Sequence, residues 1–226
     1  MDLEDLRLAV YRRFRDGGTP RIAELAASEG VREAEVAEGL RELAAQRHLA
    51  LAGDGEIAMA HPFTAVPLGF SVMGRTTLWW GGCAWDAFAL PHLIPDQGPM
   101  LVATTCPGCG RALAWNVDDR EPPAGDEVAH FLVPVSRLWD DVVHSCANQR
   151  LYCGEACVDR WLARTGSERG DVFDLATLWR LASGWYAGRL DRGYQRREPS
   201  ASADYLRSVG LRGAFWGLEP EIAGRE

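Results

Sequence analysis

The sequence predicts an α+β protein, and three patterns carry that reading. Apolar residues recur at helical spacing from Leu3 to Leu43. Short strand-like runs follow, punctuated by glycine and proline. Two cysteine pairs, Cys106 with Cys109 and Cys153 with Cys157, bracket strand-like segments in the middle of the chain. The 226 residues suffice for one or two domains with a real core.

Taken in order, Leu3, Leu6, Val10 and Phe14 mark a first helix, which Gly17-Gly18-Thr19-Pro20 breaks. Residues 21–26 start a second helix, and residues 31–43 make a third with Val36, Leu40 and Leu43 inward. Residues 49–51 and 57–59 read as two short strands around Gly53-Asp54-Gly55, a hairpin turn signal. Three helices and a hairpin over residues 1–62 predict a winged helix-turn-helix domain. The stretch from His61 to Pro67 reads as a linker. Residues 69–80 predict a hairpin turning at Met73-Gly74-Arg75, followed by a helix that Pro91 ends near Leu90. Residues 100–105 and 111–117 read as strands on either side of Cys106-Pro107-Gly108-Cys109-Gly110. An exposed loop over 118–127, a strand over 130–135, a helical turn over 138–144, a strand over 149–152 and a helix over 155–164 come next. A longer helix over 173–190, a linker over 194–200, a short helix over 203–209 and the apolar Ala214-Phe215-Trp216 complete the chain. Residues 63–226 thus form a mixed α/β domain.

Composition narrows the function. The net charge is −8, and every basic side chain is arginine, since no lysine occurs. That removes lysine-dependent phosphate loops, Schiff bases and kinase chemistry. A nucleic-acid partner is disfavoured. Residues 1–62 hold eight arginines against twelve acids, and the would-be recognition helix sets Arg32 and Arg41 against Glu33, Glu35, Glu38 and Glu42. Such a helix repels phosphates, so the winged helix reads as a packing domain. The acidic N-terminus lacks the features of a signal peptide, and no apolar run is long enough to span a bilayer. The expected compartment is the cytoplasm, where cysteines stay reduced.

Cys106-x-x-Cys109 is a zinc-knuckle sequence, and Cys153-x-x-x-Cys157 sets a second pair at a helix start, where thiolates are favoured. Knuckle, strands, then a pair at a helix start is a treble-clef layout, so Cys106, Cys109, Cys153 and Cys157 are expected to hold one structural zinc. Cys83 and Cys146 remain. Cys83 lies three residues before Asp86 in the apolar run Trp79-Trp80-Gly81-Gly82-Cys83-Ala84-Trp85-Asp86, which places a thiol and a carboxylate on one helix face. In such surroundings the carboxylic acid can hold a proton for delivery. His92, His130 and His144 read as structural, with His144 alone near a cysteine of interest.

These residues resemble the organomercurial (alkylmercury) lyase family. The Trp80–Asp86 segment is similar to the family's W-C-A-x-D motif, with two glycines before Cys83. Cys146-Ala-Asn-Gln-Arg-Leu-Tyr152 is similar to its second-cysteine segment, and the resemblance spans roughly residues 3 to 190. It implies protonolysis of a carbon–mercury bond without a catalytic cofactor. Cys83 as thiolate attacks mercury, Cys146 adds a second sulfur, and Asp86 protonates the carbon. Trp80, Trp85 and Phe88 exclude water, and cellular thiols remove Hg(II) from Cys83 and Cys146. Soft mercury suits sulfur ligands. The chain departs from the family in Cys109, Cys153, Cys157 and the extension past Leu190. A metal-sensing regulator, or a soft-metal carrier on the same fold, is the alternative.

Overall fold

A computed structural model describes residues 1–219, so the last seven residues of the expected 63–226 domain lie outside the described residues. The N-terminal part contains α1 (Leu3–Arg15), α2 (Ile22–Glu29) and α3 (Glu33–Ala45). Asp2 caps α1 by accepting the Glu4 and Asp5 N–H groups. The apolar stripes of the three helices meet through Leu6, Val10, Phe14, Leu25, Val36, Leu40 and Leu43, all buried. The hairpin of β1 (Ala50–Leu51) and β2 (Ile57–Ala60) follows. Its turn closes through Asp54, whose carboxylate accepts the Glu56 N–H at 3.1 Å.

The stretch expected as a linker is a buried strand, β3 (Phe63–Thr64). It pairs with β2 on one side and β5 on the other. Phe63 explains this, because it stacks on Phe14 at 5.7 Å and meets Tyr11 edge-on, so the segment is pulled into the core. With β4 (Phe70–Met73), β5 (Leu78–Gly81), β6 (Met100–Thr105) and β7 (Ala112–Val117) it completes a seven-stranded antiparallel sheet in the order β1-β2-β3-β5-β4-β6-β7.

Helix α4 (Ala84–Leu93) connects β5 to β6 and lies against the sheet. Residues 84–91 are buried on every side, as expected of a helix apolar all round. It runs through Pro91 rather than ending before it. Only the hydrogen bond that Pro91 cannot donate is lost, and the Ile94 N–H closes the last turn on the Leu90 carbonyl at 2.9 Å.

A second antiparallel sheet of β8 (Val128–Phe131), β9 (Gln149–Tyr152) and β10 (Asp171–Asp174) has the order β10-β8-β9. Between β8 and β9 lies α5 (Val142–Ala147), capped by Asp141, so Cys146 sits on a helix rather than in a loop. Helix α6 (Glu155–Thr165) follows β9. The long helix expected over 173–190 is shorter, α7 (Leu175–Trp185). Asp174 caps it by accepting the Thr177 N–H at 2.7 Å, which frees the preceding residues to pair as β10. Past Tyr186 the chain turns back, with Gly188 at φ +75°, a conformation that suits glycine. Helix α8 (Pro199–Ser208) opens on a proline at its first turn and a short 3-10 turn spans Ala214–Trp216. Helix α7 packs along α4, and the Trp85, Trp185, Trp216 and Phe131 rings cluster between the second sheet and the C-terminal turns. No helix among the described residues is long and apolar enough to cross a membrane.

Burial sets an acid limit on this fold. His92 and His130 are held at about 4 by burial, against an ordinary 6.5, and His48 is held at about 4 by burial and by the cations of Arg189, Arg7 and Arg196. His130 Nε2 accepts the Gly170 N–H at 3.1 Å, which requires the neutral ring. Between pH 6.5 and 4 the unfolded chain takes up protons that the folded chain refuses, so stability is lost as pH falls through that window. Allowing for solvent screening, the effect is on the order of 1 kcal/mol per histidine. Calorimetric unfolding at pH 7, 6 and 5 is expected to show a midpoint falling by about 5 °C or more. A midpoint constant across that range would contradict the assignment.

Candidate functional site

The site forms where the end of β5, the first turn of α4, the helix α5, the chain just before β3 and the turn after α7 converge. Gly82 lets β5 meet α4 closely, because a Cβ there would lie 2.4 Å from Asp86 Oδ2. Gly81 is as constrained, since its Cβ would lie 2.8 Å from that of Ala87. Cys83 is the N-cap of α4, and its sulfur accepts the Asp86 N–H at 3.4 Å. The cap itself therefore ties the Cys83 sulfur to the backbone of Asp86.

Asp86 is fully buried. Its Oδ1 accepts the Tyr186 hydroxyl at 2.6 Å, and its Oδ2 lies 3.9 Å from the Cys146 sulfur. The Cys146 sulfur lies 3.4 Å from His61 Nε2, and Cys83 lines the same cavity. The structure thus brings Cys83, Asp86 and Cys146 into one buried cluster. It adds His61 and Tyr186, which the sequence reading missed. His61 was assigned to a linker, 85 residues from Cys146 along the chain. His144, flagged for its nearness in sequence, instead meets the Asn148 side-chain amide on the exposed side of α5.

The charges are asymmetric. Burial pushes the Cys83 thiol well up, and the hydrogen bond to Cys146 and the Asp86 charge add to that. Cys146 is lowered, because the hydrogen bond from Cys83 and the neighbouring His61 outweigh its burial. Burial alone would lower His61, but Asp86 and Cys146 outweigh it and raise it. Burial, reinforced by Asp86, holds the Tyr186 hydroxyl well above its ordinary range, so it stays a donor. The surroundings thus favour charge on the Cys146 sulfur and on His61, and disfavour it on Cys83 and Tyr186.

These groups line a cavity of about 320 Å³ together with Trp85, Trp139 and Trp185. Of the three aromatics expected to enclose it, only Trp85 does so. Trp80 is 46% exposed on the outer face of β5, and Phe88 is buried one turn further on, against Trp115. Period-2 alternation along β5 turns Trp80 outward, and helical spacing carries Phe88 away from the Cys83 face.

Cys106, Cys109, Cys153 and Cys157 come together at a second place, their sulfurs within 4.8 Å of one another. Cys109 and Cys153 lie 3.5 Å apart. Tetrahedral zinc with Zn–S bonds of about 2.3 Å needs S···S distances of roughly 3.8 Å, so the donor set fits. Cys106 opens the turn between β6 and β7, and the Gly110 N–H reaches its carbonyl at 2.9 Å. Gly108 allows the turn to lie on α6, since a Cβ there would be 2.2 Å from the Cys157 carbonyl. Cys106 and Cys157 are buried, while Cys109 is exposed.

A family model described as "MerB: Alkylmercury lyase" matches residues 63–187. A search of curated proteins finds no match. Among solved structures the chain is similar to one described as the crystal structure of the mercury-bound form of MerB2. The two share 14% identity at a TM-score of 0.62, over 84% of this chain and 91% of that one, which is a likeness of fold.

Proposed function

The chain belongs to the alkylmercury lyase family and is an organomercurial lyase, and from that premise we propose how its residues cleave the carbon–mercury bond. The observation that carries the proposal is the buried meeting of two thiols and one carboxylate at the end of a cavity: Cys146 faces the Asp86 carboxylate, and Cys83 accepts the Asp86 N–H.

Cys146, the thiolate of the pair, displaces the exchangeable ligand on R–Hg–X and forms a sulfur–mercury bond. The sequence reading gave this first attack to Cys83. The raised thiol of Cys83 and the His61 beside Cys146 favour the reverse order. Cys83 then adds its sulfur to mercury and releases its proton to Asp86. Two sulfur donors push electron density onto the mercury-bound carbon. Asp86 delivers the proton there as general acid, with its carboxyl oriented by Tyr186. The electron pair of the carbon–mercury bond takes that proton and the hydrocarbon R–H leaves. Hg(II) remains on Cys83 and Cys146, and Asp86 is again a carboxylate. Two outside thiols then remove the ion by exchange. Trp85, Trp139 and Trp185 shield the reacting centre from water.

Two structural readings accompany this. Residues 1–62 are a winged helix-turn-helix that covers the reacting domain, residues 63–226. Its support is that Arg47 and His61 line the cavity from this unit, while the Tyr11 hydroxyl accepts from Arg189 at 3.0 Å. The acidic α3 argues against DNA as its partner. The β6–β7 turn and the β9–α6 junction together are a treble clef, and their four thiols hold a structural zinc. The zinc would cross-link the two sheets and takes no part in the chemistry.

The test is incubation with phenylmercury and excess thiol, with benzene measured in the headspace. The expected result is benzene and Hg(II) in equal amounts, with turnover limited by thiol supply. Tight mercury uptake with no benzene would leave a soft-metal carrier on the same fold.

A further inference from the structure

The cavity mouth carries a concentration of positive charge that the protonolysis does not use. Arg47, Arg189, Arg196 and Arg197 all line it, and the one carboxylate lining it among the described residues is Asp86 at its far end. This occurs in a protein of net charge −8. Arg47, Arg196 and Arg197 are exposed at the rim, whereas Arg189 is 5% exposed on the inner wall.

No ion pair holds any of the four among the described residues. Arg189 donates to the Tyr11 and Tyr194 hydroxyls at 3.0 and 2.9 Å and to the His61 carbonyl at 3.3 Å, all uncharged. Its Nε is buried with no hydrogen-bond partner. The Tyr186 ring, 5.1 Å from its guanidinium carbon, is the side chain through which it approaches the Asp86 region. Arg47 and Arg196 lie against the Trp139 ring at 5.9 and 5.5 Å, and Arg196 donates to the Gln46 carbonyl. Arg197 donates to the Gly184 carbonyl at 2.6 Å. Asp140 is paired with Arg137 and Asp141 caps α5, while Glu198, next to Arg197 in the chain, does not line the cavity. Burial and the charges of Arg189 and Arg47 both disfavour the cation of Arg196. A buried guanidinium without a counter-ion, facing a cavity among like charges, is a site short of an anion.

We infer that this arginine-lined mouth binds a carboxylate, so that the preferred substrates are organomercurials presented with one. The inference deepens the lyase reading and rests on it. The carboxylate has two sources, the organic group on mercury or the thiol that carries the mercury to the site. Bidentate guanidinium–carboxylate pairing suits either. The bound anion would balance Arg189 and hold the mercury end toward Cys146, in the direction set by the cavity.

The experiment compares three substrates: phenylmercury with 2-mercaptoethanol, phenylmercury with 3-mercaptopropionate, and 4-mercuribenzoate with 2-mercaptoethanol. Wild-type kcat/KM is expected to favour at least one carboxylate arm by about tenfold over the neutral arm, with the preference shrinking at high salt. Which arm gains identifies the source. Arg47→Gln/Arg196→Gln/Arg197→Gln removes exposed rim charges and is expected to bring the ratio close to one. Affinities read from tryptophan quenching in Asp86→Asn protein give the same comparison without turnover. Equal rates and affinities in all arms, or a preference that survives the triple substitution, would overturn the inference. Absence of benzene from the neutral arm would instead strike the lyase mechanism, and the affinities would still decide the mouth.

Discussion

Asp86→Asn protein is expected to take up mercury but to release hydrocarbon about a thousandfold more slowly than wild type, the scale of a lost general acid. The substitution is nearly isosteric. An asparagine Oδ1 can still accept the Tyr186 hydroxyl, and Gly82 still leaves room beside it. The two sulfurs proposed to grip mercury are untouched. What disappears is the group proposed to receive a proton from Cys83 and pass it to carbon. Tyr186 cannot replace it, since its hydroxyl stays protonated. His61 touches Cys146 alone among the two thiols, so it is placed to favour charge on that sulfur rather than to meet the carbon. Benzene release from phenylmercury, beside a stoichiometric count of mercury bound, separates the two steps. Cys83→Ser and Cys146→Ser are expected to fail earlier, at mercury capture, and their losses will not add to that of Asp86→Asn because the three act as one unit. A variant within tenfold of wild type would take the proton step away from Asp86.

How much of this could be read in the chain depends on how local each contact is. The Cys83/Asp86 pair is three residues apart, and a helix cap joins them, so spacing was enough. The four-cysteine cluster was legible because two short pairs each carry their own turn or helix start. His61 and Tyr186 were not, because they reach Cys146 and Asp86 across 85 and 100 residues, and neither lies in a patterned motif. His61 was misread because Pro62 and Pro67 look like linker punctuation, whereas Phe63 buries the segment against α1. Trp80 and Phe88 were given to the cavity on sequence proximity, but strand alternation and helix rotation separate neighbours that composition groups together. The mouth arginines come from α3's end, the turn after α7 and the approach to α8, so their convergence exists only in three dimensions. In this protein the Cys83/Asp86 pair is local, whereas Cys146, His61 and Tyr186 reach it only through the fold.

Removing the proposed zinc, or replacing one of its ligands, is expected to cost the fold more than any single site change. Purified protein should hold about one zinc, and a thiol count without denaturant should find two sulfurs open, Cys146 and then Cys83, with four protected. Cys106→Ser should lose that metal and lower the unfolding midpoint by about 10 °C or more, since structural zinc sites contribute many kcal/mol where they form. The position explains the size. Cys106 is fully buried at the end of β6, and its N–H and carbonyl close the turn through Arg111 and Gly110. Cys153 and Cys157 belong to the β9–α6 junction, so the four sulfurs join the larger sheet to the smaller one. Strand β9 follows α5, which carries Cys146, so loosening that junction moves one sulfur of the reacting pair relative to Cys83 on α4. If the serine variant is insoluble, chelation of wild-type protein gives the same reading through metal content, midpoint and free thiols. Six open thiols and an unchanged midpoint in metal-free protein would show that the four cysteines pack without an ion, and the joint between the sheets would then rest on Gly108 against α6 and the surrounding core alone.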